Sequence, residues 1–296
     1  MIRDAARPFG RLCTAMVTPF AGDGSLDVAG AQTLARYLVD EQRCTGLVLN
    51  GTTGESPTTS DAEKVELVAA VVEAVGDRAS VIAGVGTNDT AHSVKQAMAA
   101  VEVGADALLV VTPYYSRPPQ EHLRRHFVTV ADATDRPVVL YDIPARSGVP
   151  IETDTLIALA EHPNIIAVKD SKLDLVASTE VMASTDLAYY CGVDELNLAC
   201  YAIGEVGAVS VTAHLVGARI HEMFEAVDAG DLERARRIDR SLLAVTRSVM
   251  TRTQGLVAIK AVLSGRGMPA GTPRPPLYAA DEQLRAVIEA DVKEAG

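Results

Sequence analysis

Tryptophan is absent from the 296-residue sequence and phenylalanine occurs only four times. An interior built on large aromatic rings is therefore excluded, and the core must be filled by Val, Leu, Ile and Ala. Long apolar runs are missing as well. None approaches the ~18–20 residues of a membrane helix, and the N-terminal MIRDAARPFGRL carries arginines without the apolar stretch of a signal peptide. A cytoplasmic protein is expected. Positive charge is in short supply: the formal net charge is −12, and no Lys/Arg cluster interleaved with aromatics offsets it locally, which argues against nucleic acid as a partner. The four cysteines, Cys13, Cys44, Cys191 and Cys200, form no CxxC pair and fall in or beside apolar segments. They read as small buried hydrophobes in a reducing compartment, not as a disulfide or zinc framework.

What is present is an alternation. The length suits one large α/β barrel or two ordinary domains, and the pattern chooses between them. Short apolar runs begin at Leu12 (LCTAMVT), Gly46 (GLVLN), Ser80 (SVIAG), Ala107 (ALLVV), Pro137 (PVVLYDI), Ile165 (IIAVKD), Leu187 (LAYYCG) and Gly207 (GAVSV). Between them lie stretches of helical periodicity such as DVAGAQTLARYLVDE and DAEKVELVAAVVEAV. Continuous apolar strands alternating with helices imply a parallel sheet covered on both faces, and eight such units favour a closed (β/α)8 TIM barrel over an open doubly wound sheet. The barrel is expected over residues 1–228. From about Ala229 the strand pattern stops, so residues 229–296 are expected to form a C-terminal helical extension, with GTPRPP as a stiff connector before the last helix.

In such a barrel the chemistry sits at the C-terminal ends of the strands. Only six lysines occur, and five of them, Lys64, Lys95, Lys172, Lys260 and Lys293, fall in helical segments or at a helix start. Lys169 alone ends an apolar strand. A plain structural reading has it snorkel outward or pair with Asp170. The functional reading is that burial disfavours an ammonium and leaves a neutral amine able to attack a ketone. Tyr141 ends the preceding strand, so the two side chains would lie about 5 Å apart if both point inward, and a phenol there is a reasonable proton shuttle. Alone, Tyr141 would be an ordinary strand-end tyrosine.

Other patterns carry less. GTTGES has the glycines of a tight turn but not the GK[ST] ending of a phosphate-binding loop, and GVGTN does not complete GxGxxG. His122 and His126 share a helix face without an obvious third ligand, and HEMFE at His221 lacks the second histidine of a metalloprotease helix. No metal is expected.

In order along the chain, AMVTPF (from Ala15), GTTGES (from Gly51), VTPYYSRPPQ (from Val111), YDIPARSG (from Tyr141), the strand-end Lys169 and GAVSVTAH (from Gly207) resemble the dihydrodipicolinate synthase/N-acetylneuraminate lyase family of pyruvate-dependent aldolases. The similarity spans essentially the whole chain, and the set is specific where any one member would be weak. The threonine pair in the glycine turn, the tyrosine pair after the fourth strand and the arginine of YDIPARSG resemble the synthase branch. The resemblance implies that Lys169 forms a Schiff base with pyruvate and that Thr52, Tyr115 and Tyr141 form a proton relay. It implies that Thr53, Gly192 and Val209 line the pyruvate pocket and that Arg146 binds the carboxylate of aspartate semialdehyde. A plain surface arginine is the alternative reading of Arg146. No cofactor beyond the covalent imine is implied. A tyrosine at the position of Tyr115 is shared across a subunit interface in the family, which implies a dimer or a homotetramer built as a dimer of dimers.

Two departures stand out. Ser116 replaces the asparagine of a common PYYN, and Cys191, Gly192, Val193 and Asp194 stand where SGDD is common, close to the expected pocket. Competing readings are another pyruvate aldolase, acting on a sialic acid, a 2-keto-3-deoxy sugar acid or 4-hydroxy-2-oxoglutarate, and a non-catalytic binding protein on the same fold. The resemblance also places Asp61, Lys64 and His92 where lysine-inhibited members carry histidines and an acidic residue. Weak or absent lysine feedback is therefore expected, and calorimetry with L-lysine checks it: tight binding would contradict the expectation.

Overall fold

All eight apolar runs become strands. The computed structural model describes residues 6–295, so the first five residues of the arginine-bearing N-terminal stretch lie outside the described residues. The strands are β1 (Leu12–Ala15), β2 (Gly46–Leu49), β3 (Ser80–Gly84), β4 (Ala107–Val111), β5 (Val138–Asp142), β6 (Ile165–Asp170), β7 (Ala188–Cys191) and β8 (Gly207–Ser210). They pair in parallel in sequence order, and β8 closes on β1. Nearly every strand residue is buried, because helices cover one face and the lumen the other.

Around the barrel run α1 (Val28–Asp40), α2 (Asp61–Val75), α3 (Thr90–Glu102), α4 (Gln120–Ala131), the single turn α5 (Pro144–Ser147), α6 (Thr153–Leu159), α7 (Leu175–Ser184), α8 (Asn197–Ala202) and α9 (Ala213–Asp228). Their starts are written locally. Asp27, Asp89 and Asp174 cap α1, α3 and α7 with their side chains, and Ser60 and Glu63 close a reciprocal capping box on α2. After Asp228 come α10 (Leu232–Thr251), α11 (Gly255–Gly265) and α12 (Glu282–Glu294).

The core has two parts. A lumen cluster includes Ile82, Leu109, Val139, Tyr141, Tyr190 and Val209. A larger layer between strands and helices holds the two fully buried phenylalanines, Phe127 and Phe224, among aliphatic side chains. The connector before α12 does more than span a gap. The Arg274 guanidinium donates to Glu63, to the carbonyl of Thr58 and to that of Gly24, while its backbone N–H donates to Glu55.

One irregularity sets the site. Val138 pairs with Ile165, but Val139 pairs with Ala167, so β6 holds one residue more than β5 across this step. Beyond it Tyr141 pairs with Lys169, and Lys169 with Tyr190 on β7. Without the extra residue Tyr141 would face Val168, and the lysine would lie on the opposite face of the sheet from the one Tyr141 presents.

Two buried histidines brace the frame. His214 accepts from the Val17 N–H at 3.1 Å and donates through Nδ1 to the Val211 carbonyl at 2.8 Å, tying the loops after β1 and β8 together. His126 is buried against Thr90 at 2.9 Å whereas His122 is exposed, so the two do not form a ligand pair. Burial pulls both His126 and His214 down to about 4. The unfolded chain then takes up protons that the fold refuses, so this contribution to stability is complete above about pH 6.5 and is lost as the pH falls toward 4. Between pH 7 and pH 4 the wild type is expected to lose roughly 2–3 kcal/mol relative to His126→Gln. Urea unfolding of both proteins across that range checks it, and a gap that does not change with pH would refute it.

Candidate active site

At the C-terminal mouth of the barrel is a cavity of about 420 Å³ whose wall includes Thr52, Tyr115, Tyr141 and Arg146. Thr52 comes from the GTTGES loop after β2, Tyr115 from the loop after β4, Tyr141 from β5 itself and Arg146 from α5. Backbone strain gathers in the same place. Asn50, Glu55, Tyr115 and Arg117 all have positive φ, and for an aromatic residue such as Tyr115 at +72° this is costly.

Lys169 lies behind this wall. It is 5% exposed, its Nζ stands 4.0 Å from the centroid of the Tyr141 ring, and no ion pair reaches it among the described residues. Pairing with Asp170 does not occur. Successive residues of β6 point to opposite faces, and Asp170 points outward, where it accepts from Ser178 Oγ at 2.5 Å and from the Lys172 N–H at 2.8 Å.

The comparison with Lys260 is instructive. That lysine is buried even more completely, at 1% exposure, although sequence reasoning set it aside as a helical residue. Its Nζ is 2.6 Å from Glu55 Oε1 and 4.2 Å from the centroid of the Phe20 ring. Burial lowers its pKa and the Glu55 carboxylate opposes that. The ion pair ties α11 to the GTTGES loop, and breaking it would leave a buried charge uncompensated, at a cost of about 3–5 kcal/mol.

The remaining expected residues divide. Gly192 packs against the lysine: a Cβ there would come within 3.1 Å of Lys169 Cε, 2.9 Å of the Asp170 carbonyl and 2.2 Å of Ser171 Oγ. Val209 belongs to the lumen cluster with Tyr141 and Tyr190. Thr53 is buried in the GTTGES loop but is not on the cavity wall. Arg146 donates to Gln254 Oε1 at 2.9 Å, immediately before α11.

The departure around Gly192 proves largely external to the pocket. Cys191 belongs to the layer behind the strand, and the Asp194 carboxylate accepts from the N–H groups of Val211 and Thr212, both at 2.9 Å. Asn50, Glu55, Lys260, Asp194 and His214 are framework residues around the site to which the sequence reading gave no such role, although Glu55 lies inside GTTGES, His214 ends GAVSVTAH and Asp194 belongs to the altered stretch at the end of β7.

Comparison with known proteins now fits this geometry. The family model described as the dihydrodipicolinate synthetase family matches residues 8–295. The chain belongs to the dihydrodipicolinate synthetase family. It is 54% identical over 289 residues to 4-hydroxy-tetrahydrodipicolinate synthase 2 of Streptomyces coelicolor, covering 98% of this chain and 96% of that protein. It is also 54% identical over 291 residues to the 4-hydroxy-tetrahydrodipicolinate synthase of Kineococcus radiotolerans, covering 98% and 94%. Among solved structures, a dihydrodipicolinate synthase from Bacillus anthracis superposes with a TM-score of 0.93 at 40% identity, covering 97% of this chain and 98% of that one.

Gly192→Ala is expected to reduce borohydride trapping of a small keto acid on Lys169 by on the order of 10²-fold, since displacement of a reacting group by ~1 Å has that effect. Far-ultraviolet circular dichroism should stay native-like. Undiminished trapping would show that the lysine does not need this close approach.

Proposed function

We propose that the chain is a class I aldolase that condenses pyruvate with L-aspartate 4-semialdehyde to 4-hydroxy-tetrahydrodipicolinate, a step of lysine and diaminopimelate biosynthesis. The observation that carries this reading is the buried Lys169 amine, without a counter-ion among the described residues and 4.0 Å from the centroid of the Tyr141 ring. Full-length relatives bearing the synthase name support the choice of reaction.

In this reading the lysine amine adds to the pyruvate ketone, water leaves, and an imine forms. The protonated imine acidifies the pyruvate methyl group, which gives up a proton to become an enamine. The enamine carbon bonds to the aldehyde, and the resulting alkoxide takes a proton. The amino group of the semialdehyde then displaces Lys169 and closes the ring. Tyr141 carries protons for imine formation and addition, with Thr52 and Tyr115 linking it to solvent. Gly192 and Val209 enclose the pyruvate end, and Thr53 supports it from within the GTTGES loop. Arg146 offers a planar fork to the carboxylate of the semialdehyde. The covalent imine is the electron sink, so the reaction needs no bound cofactor or metal.

A homotetramer, a dimer of dimers, is part of the proposal. Its support is Tyr115, which is 91% exposed and held at φ +72° at the cavity rim, a conformation that repays its cost if the ring completes a neighbour's site. No helix among the described residues is long and apolar enough to cross a membrane; work in the cytoplasm on two small polar substrates is part of the proposal.

Borohydride reduction in the presence of pyruvate, followed by peptide mass mapping, tests the chemistry. The reduced adduct is expected on Lys169 and not on Lys260. An adduct on Lys260, or none, would overturn the mechanism. Turnover of pyruvate plus aspartate semialdehyde should exceed retro-aldol cleavage of sialic acid and keto-sugar acids, and the reverse preference would remove the substrate assignment while leaving the imine intact.

A further inference from the structure

Of the four cysteines, Cys13 faces the lumen and Cys44 lies in the outer layer, where the Thr14 hydroxyl is 2.8 Å from its Sγ. Cys191 and Cys200 converge elsewhere, behind the strand that carries Tyr190. Cys191 closes β7 and faces away from the lumen, Cys200 lies on α8, and Glu205 sits on the turn that leads into β8. The two Sγ atoms and a Glu205 carboxylate oxygen all lie within 4.8 Å of one another. Exposure is 2% for Cys191, 4% for Cys200 and 3% for Glu205.

Glu205 is the unexplained member. Neither of its oxygens has a hydrogen-bond partner at full bonding geometry, the Cys200 thiol being the one donor that interacts with it, and the proposed reaction makes no use of it. A carboxyl buried without partners costs several kcal/mol. Asp170, the nearby carboxylate, does not share this condition because Ser178 and the Lys172 N–H already hold it.

We propose that Cys191, Cys200 and Glu205 form a binding site for a thiophilic divalent cation of the zinc type, with water completing a tetrahedral shell. Two sulfurs and one carboxylate suit a borderline-soft ion, whereas calcium and magnesium prefer shells made of oxygen. Metal–sulfur bonds of about 2.3 Å and metal–oxygen bonds of about 2.1 Å put tetrahedral ligand atoms roughly 3.5–3.8 Å apart. The ligand atoms of the three side chains are gathered within 4.8 Å of one another before any ion binds. Binding releases to solvent the protons of both thiols and of the Glu205 carboxyl, which burial keeps protonated, and gives that carboxylate a partner. An entry path exists, since Ala202, Ile203 and Gly204, which directly precede Glu205, are exposed, and Gly204 has φ +116° with open space around it.

The site stands one peptide away from Gly192, whose α-carbon packs against Lys169. An ion held by Cys191 would therefore stiffen the backbone that locates the amine, from outside the pocket and without touching substrate.

Titration of the metal-stripped full-length protein with Cd2+, followed by thiolate-to-cadmium charge-transfer absorbance in the ultraviolet, tests the proposal. One equivalent is expected to bind with a two-thiolate band, and Zn2+ should displace it. Cys200→Ser and Glu205→Gln should each weaken binding at least tenfold, while Cys13→Ser, in the lumen, should leave it intact. No band in the wild type, a band that survives Cys200→Ser, or one abolished by Cys13→Ser would overturn the assignment. If Cys200→Ser fails to fold, an unchanged affinity in Glu205→Gln would still refute it.

Discussion

Tyr141 and Lys169 face one another because β6 carries one residue more than β5 between Ile165 and Ala167. A pleated sheet has a side-chain period of two, so a single inserted residue decides which face every later side chain occupies. Everything at the mouth of the barrel follows from that register. It sets the phenol against the amine, turns Asp170 outward to Ser178 and Lys172, and brings Lys169 level with Tyr190. Bulges are common next to reactive centres for this reason: they aim a side chain without altering the fold.

Lys169 and Lys260 show how environment divides labour between identical groups. Lys260 is saturated by Glu55, the Thr272 carbonyl and the Phe20 ring, and serves as a brace. Lys169 is offered an aromatic face and a glycine, neither of which neutralises a charge. Burial raises the cost of an ammonium, and only one of the two sites supplies compensation. Sequence reasoning ranked the lysines by secondary structure, and its candidate is the one buried without an ion pair among the described residues. Depth alone would have ranked Lys260 first.

The strands, their order and the barrel were legible because apolar runs of four to six residues alternate with helical stretches whose caps are local: Asp27, Ser60 and Asp89 each sit just ahead of their helix. Lys169 and Tyr141 were legible because a polar residue at the end of an apolar strand is conspicuous. The rest depended on distance in sequence. The extra residue in β6 leaves no composition signal. Asp194 reads as part of an altered motif, yet its carboxylate holds the backbone after β8. GTPRPP reads as a spacer, yet Arg274 reaches Glu63, Thr58 and Gly24. Cys191, Cys200 and Glu205 meet only once α8 packs behind β7.

The Arg274 contact has a consequence for how the molecule is made. Its backbone N–H holds Glu55 across 219 residues of chain, and Lys260 holds the same carboxylate. A nascent polypeptide that has released the whole barrel from the ribosome, but not residues 260–274, has strands and lysine in hand while the Glu55 carboxylate of the GTTGES loop lacks both of these partners. Final shaping of the loop beside the amine is thereby deferred to the closing stage of synthesis, when the last helices emerge.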